Sequence, residues 1–206
     1  MSEVIEEILP ENPIAILSGP NFAYPIAENL PAISSLAIKN SNKELAKQLS
    51  STNFRVYPNE DIIGTQVVGA AKNVLAIATG IVMGKNLGEN AKAALISRGI
   101  YEINNLSLAK GGNPSTLLTP AGFGDILLTC SSSTSRNTSY GIALAQGNID
   151  RNNLIEGFFS SGSISSLAKS LNVDMPICDA VYKITHKQHP LDEVIKELLD
   201  RPIRLS

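Results

Sequence analysis

Apolar positions along the chain follow two periods in succession. Up to about residue 60 they come in short clusters. Val4, Ile5, Ile8 and Leu9 sit at helical spacing among acidic residues, and Pro13 ends that segment. Ile14-Ala15-Ile16-Leu17 is a continuous apolar run closed by Ser18-Gly19-Pro20, which predicts a buried strand and a turn. Residues 22–29 predict a short helix, and Ala32–Ile38 a second strand. Asn40 or Ser41 is placed to cap a helix that runs to Leu49. Phe54-Arg55-Val56-Tyr57 predicts a third strand, stopped by Pro58.

From Asp61 the period is helical and stays so. Helices are predicted over 61–84 and over 90–109 with Asn90 as cap, the second ending at Gly111-Gly112. A short helix follows near 114–118, and Ala121-Gly122-Phe123-Gly124-Asp125 reads as a loop. Further helices are expected over 138–146, 162–171, 176–187 and 190–199, with Pro176 and Pro190 suited to first turns. Strands first and helices afterwards predict a mainly α protein: residues 1–60 as a short α/β segment and 61–206 as an all-helical domain.

Composition narrows this picture. Hydrophobic residues form 43% of the chain and charged residues 17%, enough apolar material for a packed core. Aromatics form only 5%, so that core must be aliphatic. A net charge of −2 excludes a basic nucleic-acid or membrane surface, so any anion site is local. Cys130 and Cys178 read as buried, reduced thiols of a cytoplasmic protein. The acidic N-terminus has no secretion-signal character. Residues 62–84 approach membrane-spanning length, but Gln66, Lys72 and Asn73 at the centre favour a buried soluble helix.

Few residues are placed for chemistry. Lys72 lies mid-helix, and Thr65, Val68, Gly69, Ala76 and Thr79 on its face are mostly small, so another body can approach closely. A lysine held there can act as acid or base; the competing reading is a lysine that only snorkels from a buried helix. Ser135-Arg136-Asn137 closes a hydroxyl-rich loop and opens a helix, which makes either a phosphate site or a solvated loop. Asp125 is suited to orient Lys72 or a substrate hydroxyl, or simply to cap a helix. Gly122-Phe123-Gly124 is not a dinucleotide fingerprint, because Leu127 holds the last glycine position and no strand precedes it. Ser18–Ala23 follows a strand at its C-terminal end, where α/β sheets bind ligands. His186 and His189 have no accompanying ligand cluster, so no metal site is expected.

In order along the chain, Ser18-Gly19-Pro20-Asn21-Phe22-Ala23, Phe54-Arg55-Val56-Tyr57 with Asp61, Gly69-Ala70-Ala71-Lys72-Asn73-Val74, Asn90 to Gly99, Gly122-Phe123-Gly124-Asp125, Ser135-Arg136-Asn137 and Ile155-Glu156-Gly157 resemble the bacterial-type NAD(P)-dependent glycerol-3-phosphate dehydrogenases. The resemblance runs from about residue 14 to 203. It implies a Rossmann domain followed by an all-helical domain, and interconversion of dihydroxyacetone phosphate and sn-glycerol 3-phosphate for glycerophospholipid supply. It implies Lys72 as the catalytic lysine. Gly19, Asn21, Asp125, Ser135, Arg136 and Asn137 would be substrate contacts, and Ala23, Arg136, Leu154 and Glu156 contacts to NAD or NADP.

Two departures from that family shape further expectations. Seventeen residues precede Ser18, whereas one βαβ unit needs roughly 30. The chain is therefore expected to hold only the end of a Rossmann domain, and to have little dehydrogenase activity alone. An upstream-encoded Rossmann half and a homodimer are the expected partners. The connection from Gly147 to Ile155 also looks shorter than in the family. Two competing readings stand beside this one: a non-catalytic helical module that dimerises or binds a partner, and a related hydroxyacid dehydrogenase. The Ser135-Arg136-Asn137 phosphate site argues against the second.

Overall fold

A computed structural model describes residues 1–40, 42–148 and 155–202. In chain order the elements are α1 (Ser2–Ile8), β1 (Ala15–Ser18), α2 (Ala23–Ala27), β2 (Ala32–Ile38), α3 (Lys43–Gln48), β3 (Phe54–Asn59), α4 (Ile62–Gly84) and α5 (Glu89–Lys110). A 3-10 turn (Pro114–Leu118) and a π-type turn (Pro120–Gly124) lead into α6 (Asp125–Ser131), α7 (Arg136–Ala145), α8 (Glu156–Ser170), α9 (Pro176–His186) and α10 (Leu191–Leu199). The protein is mainly helical with one small sheet, a Rossmann-type fragment followed by a helical portion. It packs as two compact units, one of Met1–Lys72 with Asn104–Thr129, the other of Asn73–Ile103 with Cys130–Ser206.

The first unit carries the three-stranded sheet, in the order β1-β2-β3. β1 runs antiparallel to β2 with Ala15 opposite Ile38, and β3 runs parallel to β2 with Phe54 beside Ala32. β2, α3 and β3 thus form a βαβ unit, the connection a parallel pair requires. β2 is buried from Ser34 to Ile38, as befits a strand paired on both edges, and Leu36, Ala46 and Val56 form a core with Leu45 and Phe54. Pro58 does not stop β3, which continues to Asn59. β3 is paired only on its β2 side here, and a proline can sit on an outer strand because no ladder donor is needed there. The cap of α3 is Asn42, whose side chain accepts from Leu45 N at 2.9 Å.

The second unit is helical. Leu75, Ile77, Ile103, Met175, Val181 and Val194 are fully buried and build an aliphatic core. α4 and α7 meet backbone to backbone: a Cβ on Gly80 would lie 2.1 Å from Thr138 O, and one on Gly141 2.1 Å from Ile77 O. α8 begins at Glu156, six residues before the start expected from its apolar period, because its first turn is glycine and phenylalanine rather than aliphatic. His186 is a packing histidine: its Nε2 lies 2.8 Å from Phe158 O and its ring stacks on Phe158 at 4.1 Å.

Glu102, 4% exposed, lies under the start of α9. Its carboxyl accepts from Ile177 N at 2.9 and 3.1 Å and from Cys178 N at 3.3 Å, satisfying donors that α9 cannot satisfy itself. Burial nevertheless raises its pKa to about 7. The neighbouring Cys178 thiol is pushed up too, first by burial and then by Glu102 and Asp179.

α4 is long and apolar enough to cross a membrane by length and composition, but two thirds of its most apolar window, 67%, is buried within the protein. Val67, Val68, Val74, Leu75, Ile77 and Ile81 along it are core residues.

Candidate functional site

In the first unit Lys72 and Asp125 meet directly. The Lys72 Nζ donates to Asp125 Oδ1 at 2.5 Å, with side-chain exposures of 18% and 3%. The helix-face reading of Lys72 explains this placement. Thr65 and Val68 are buried on its side of α4, and a Cβ on Gly69 would make only ordinary contact, 3.9 Å from Ser18 Oγ. Asp125 is the first residue of α6, not a loop residue. It is placed by a sharp change of direction at Gly122 (φ −96, ψ −108), where a Cβ would strike Thr116 O at 2.4 Å and Leu117 Cα at 2.5 Å.

Two hydroxyls complete the carboxylate's surroundings. Ser18 Oγ donates to Oδ2 at 3.4 Å, and Thr129 Oγ1 to Oδ1 at 3.3 Å. Burial raises the Asp125 pKa from its ordinary value, opposed by the Lys72 charge and by these hydrogen bonds. Thr129 stands in the family-like run Leu128-Thr129-Cys130 without an assigned role, although it lies four residues after Asp125 and therefore on the same helix face. The resulting group holds a partly exposed ammonium by a buried carboxylate, an arrangement able to present a proton to an oxygen placed against Nζ.

Gly19 and Asn21 lie in the same unit. A Cβ at Gly19 would fall 2.7 Å from Ile33 O, so only glycine lets this turn pass over β2. Asn21 Nδ2 donates to Ile33 O (2.9 Å) and Ser34 Oγ (2.7 Å), while its Oδ1 is buried with no hydrogen-bond partner among the described residues. Ala23 opens α2 and is exposed.

The second unit holds the rest. Ser135 caps α7, its Oγ accepting from Thr138 N at 3.4 Å, and Arg136 follows as the exposed first residue of that helix. Asn137 is buried and bridging: its Nδ2 donates to Asn73 Oδ1 at 3.0 Å, and its Oδ1 accepts from Gly157 N at 2.9 Å. Glycine is required at 157, where a Cβ would lie 2.7 Å from both Asn137 Oδ1 and Asn73 O. Asn73 carries no site role in the sequence reading; its signals there are a polar side chain in mid-helix and a place in the family-like run beside Lys72. Glu156 is exposed at the first position of α8, and Leu154 lies outside the described residues. Arg136 and Glu156 are each exposed at a helix start, and their side chains are able to pair with phosphate and with hydroxyl or amide donors respectively.

Residues 61–196 match the family described as NAD-dependent glycerol-3-phosphate dehydrogenase C-terminus, and residues 1–44 its N-terminus counterpart. A glycerol-3-phosphate dehydrogenase (NAD(P)+) of Ehrlichia chaffeensis is 45% identical over 208 residues, covering 96% of this chain and 64% of the relative. That of Caulobacter vibrioides is 43% identical over 212 residues, covering 99% and 64%. The crystal structure of glycerol-3-phosphate dehydrogenase from Coxiella burnetii superposes with a TM-score of 0.90 at 40% identity, covering 97% of this chain and 64% of that one. The Saccharomyces cerevisiae enzyme shares the fold, with a TM-score of 0.84 at 24% identity. The chain thus spans about 64% of the length of the curated relatives it matches.

Proposed function

This chain belongs to the NAD-dependent glycerol-3-phosphate dehydrogenase family, and from that we propose that it carries the substrate side of such an enzyme. In this reading residues 1–60 are the C-terminal end of the Rossmann domain and 61–206 the substrate-binding domain. The substrate is dihydroxyacetone phosphate in one direction and sn-glycerol 3-phosphate in the other, in the cytoplasm, feeding glycerophospholipid synthesis.

The observation that carries the proposal is the Lys72–Asp125 pair, a partly exposed ammonium held at 2.5 Å by a buried carboxylate. Lys72 Nζ donates its proton to the C2 oxygen in reduction and recovers it in oxidation. Asp125 orients Nζ and balances its charge. The open N-terminus of α7, with the Arg136 guanidinium and the Ser135 and Asn137 side chains, meets the phosphate. Gly19 and Asn21 are the further substrate contacts this reading assigns, and Asn21 is held in place by its hydrogen bonds to Ile33 O and Ser34 Oγ. NADH or NADPH, when bound, supplies hydride to C2. Ala23, Arg136, Leu154 and Glu156 are the residues this chain would offer it.

Titration calorimetry with dihydroxyacetone phosphate tests the substrate side, and NADH oxidation tests the reaction. The second assay is run with the chain alone and with an added polypeptide supplying the rest of a nucleotide-binding domain; a second copy of this chain is the other partner to look for. Binding that disappears in Lys72→Ala and Arg136→Ala, with turnover once the nucleotide half is present, is the expected result. A well-folded chain that neither binds the ligand nor turns over in either mixture would overturn the proposal and leave a helical binding module.

A further inference from the structure

Asp61 stands in the family-like sequence run without a role, and its carboxylate is used three times. Oδ1 accepts from Gly64 N at 2.8 Å, inside the first turn of α4. Oδ2 accepts from Asn113 N at 2.7 Å and from Thr116 Oγ1 at 2.5 Å, at the start of the 3-10 turn. One carboxylate therefore closes the N-termini of two helical segments, where free N–H groups and the helix dipole favour negative charge. The backbones around it are drawn close. A Cβ on Gly64 would collide with Asp61 itself, and one on Gly112 would lie 2.9 Å from Gly64 Cα and 2.4 Å from Ser107 Oγ.

These two segments carry the two members of the Lys72–Asp125 pair. α4 bears Lys72. The 3-10 turn leads through Thr116, fully buried, to the turn that bears Asp125. Thr119 N donates to Thr116 O at 3.1 Å, Gly122 N donates to Thr119 O at 2.9 Å, and a Cβ on Gly122 would strike Thr116 O. The chain turns there and α6 begins at Asp125. A continuous sequence of contacts thus runs from Asp61 through Thr116 and Gly122 to Asp125, while the same carboxylate caps the start of the helix that holds Lys72. We propose that Asp61 is a positioning residue that sets the Lys72–Asp125 pair, holding the lysine helix and the aspartate turn in one register. The inference rests on the assignment of that pair as the substrate-side acid–base group.

The test measures the coupling between Lys72 and Asp125 without any substrate. Unfolding equilibria of the chain, Lys72→Met, Asp125→Asn and the double variant give a coupling that is expected to be about ten-fold in the equilibrium constant. The same cycle is then run on Asp61→Asn. That side chain keeps one acceptor oxygen and nearly the same shape, but turns an amide toward Asn113 N–H or Gly64 N–H. The expected coupling is then below about two-fold. Thr116→Val, which removes only the hydroxyl donor, should weaken the coupling in the same direction, and Thr116→Ser should restore it. If Asp61→Asn does not fold, the Thr116 pair decides. A coupling unchanged in every folded variant, with only overall stability lowered, would overturn the proposal and leave Asp61 an ordinary helix cap. Loss of the coupling in a chain whose parent binds no dihydroxyacetone phosphate would support the role of Asp61 and fail the functional reading instead.

Discussion

The carboxyl of Glu102 and the backbone N–H of Ile177, seventy-five residues apart, meet at 2.9 Å beneath the first turn of α9. Burial holds that carboxyl near pKa 7, against an ordinary value of 4.5, so the folded chain binds a proton there that the unfolded chain has released. Stability from this group is therefore fully present below about pH 4.5 and is lost as the pH rises to about 7, a change of about 3 kcal/mol. Urea denaturation across that range should show the difference between the chain and Glu102→Gln shifting by this amount, in favour of the glutamine at higher pH. A difference independent of pH would mean the carboxyl titrates normally in the folded state.

Lys72→Met leaves Asp125, with 3% of its side chain exposed, beside no cation. Removing one member of a pair this buried is expected to destabilise the chain by about 3 kcal/mol at neutral pH. Burial already raises the Asp125 pKa, and loss of the Lys72 charge raises it further, so the deficit should shrink as the pH falls and the carboxyl protonates. Denaturation curves of the two proteins at several pH values check this. Parallel stability profiles would count against a charge effect.

Asn137 links Asn73 Oδ1 to Gly157 N. Asn137→Ala leaves two buried polar groups without that partner, and about 1–3 kcal/mol of stability should go with it. Hydrogen exchange should show the Gly157 amide losing its protection while amides in the interior of α9 keep theirs.

Two glycine replacements should have opposite signs. Gly162 lies inside α8, and a Cβ there meets nothing nearer than His186 at 3.7 Å, so Gly162→Ala should stabilise by about 0.5–1 kcal/mol. Gly141→Ala must fit a methyl group against Ile77 O and should destabilise by about 1–3 kcal/mol. The pair of melting temperatures tests both; two shifts of the same sign would contradict the packing.

Much of this was legible in residue order. Helical period placed α4 and α5 within a residue or two, and β2 stood out because its apolar run is buried on both faces. The small residues around Lys72 marked a face open to close approach, and that is where Asp125 sits. Local pattern failed where partners are distant. Nothing near Glu102 indicates that it will meet the start of α9, and nothing in Asn73 indicates Asn137, sixty-four residues on. In sequence Ala121–Asp125 reads as a loop, with Gly122 and Gly124 breaking the helical period. They mark instead a π-type turn feeding a helix, which forms because Gly122 can lie directly against Thr116 and Leu117.

The backbone crossing at Gly80 and Gly141 bears on how freely this chain can change. Where helices meet through side chains, a larger group on one side can be matched by a smaller one opposite, and an interface can drift in composition while its spacing persists. Here each Cα already lies 2.9 Å from where the other's Cβ would be. Neither residue has anything left to shrink, so no second-site replacement opposite can make room for a first. The crossing behaves as a fixed point about which the remaining helix contacts are free to vary.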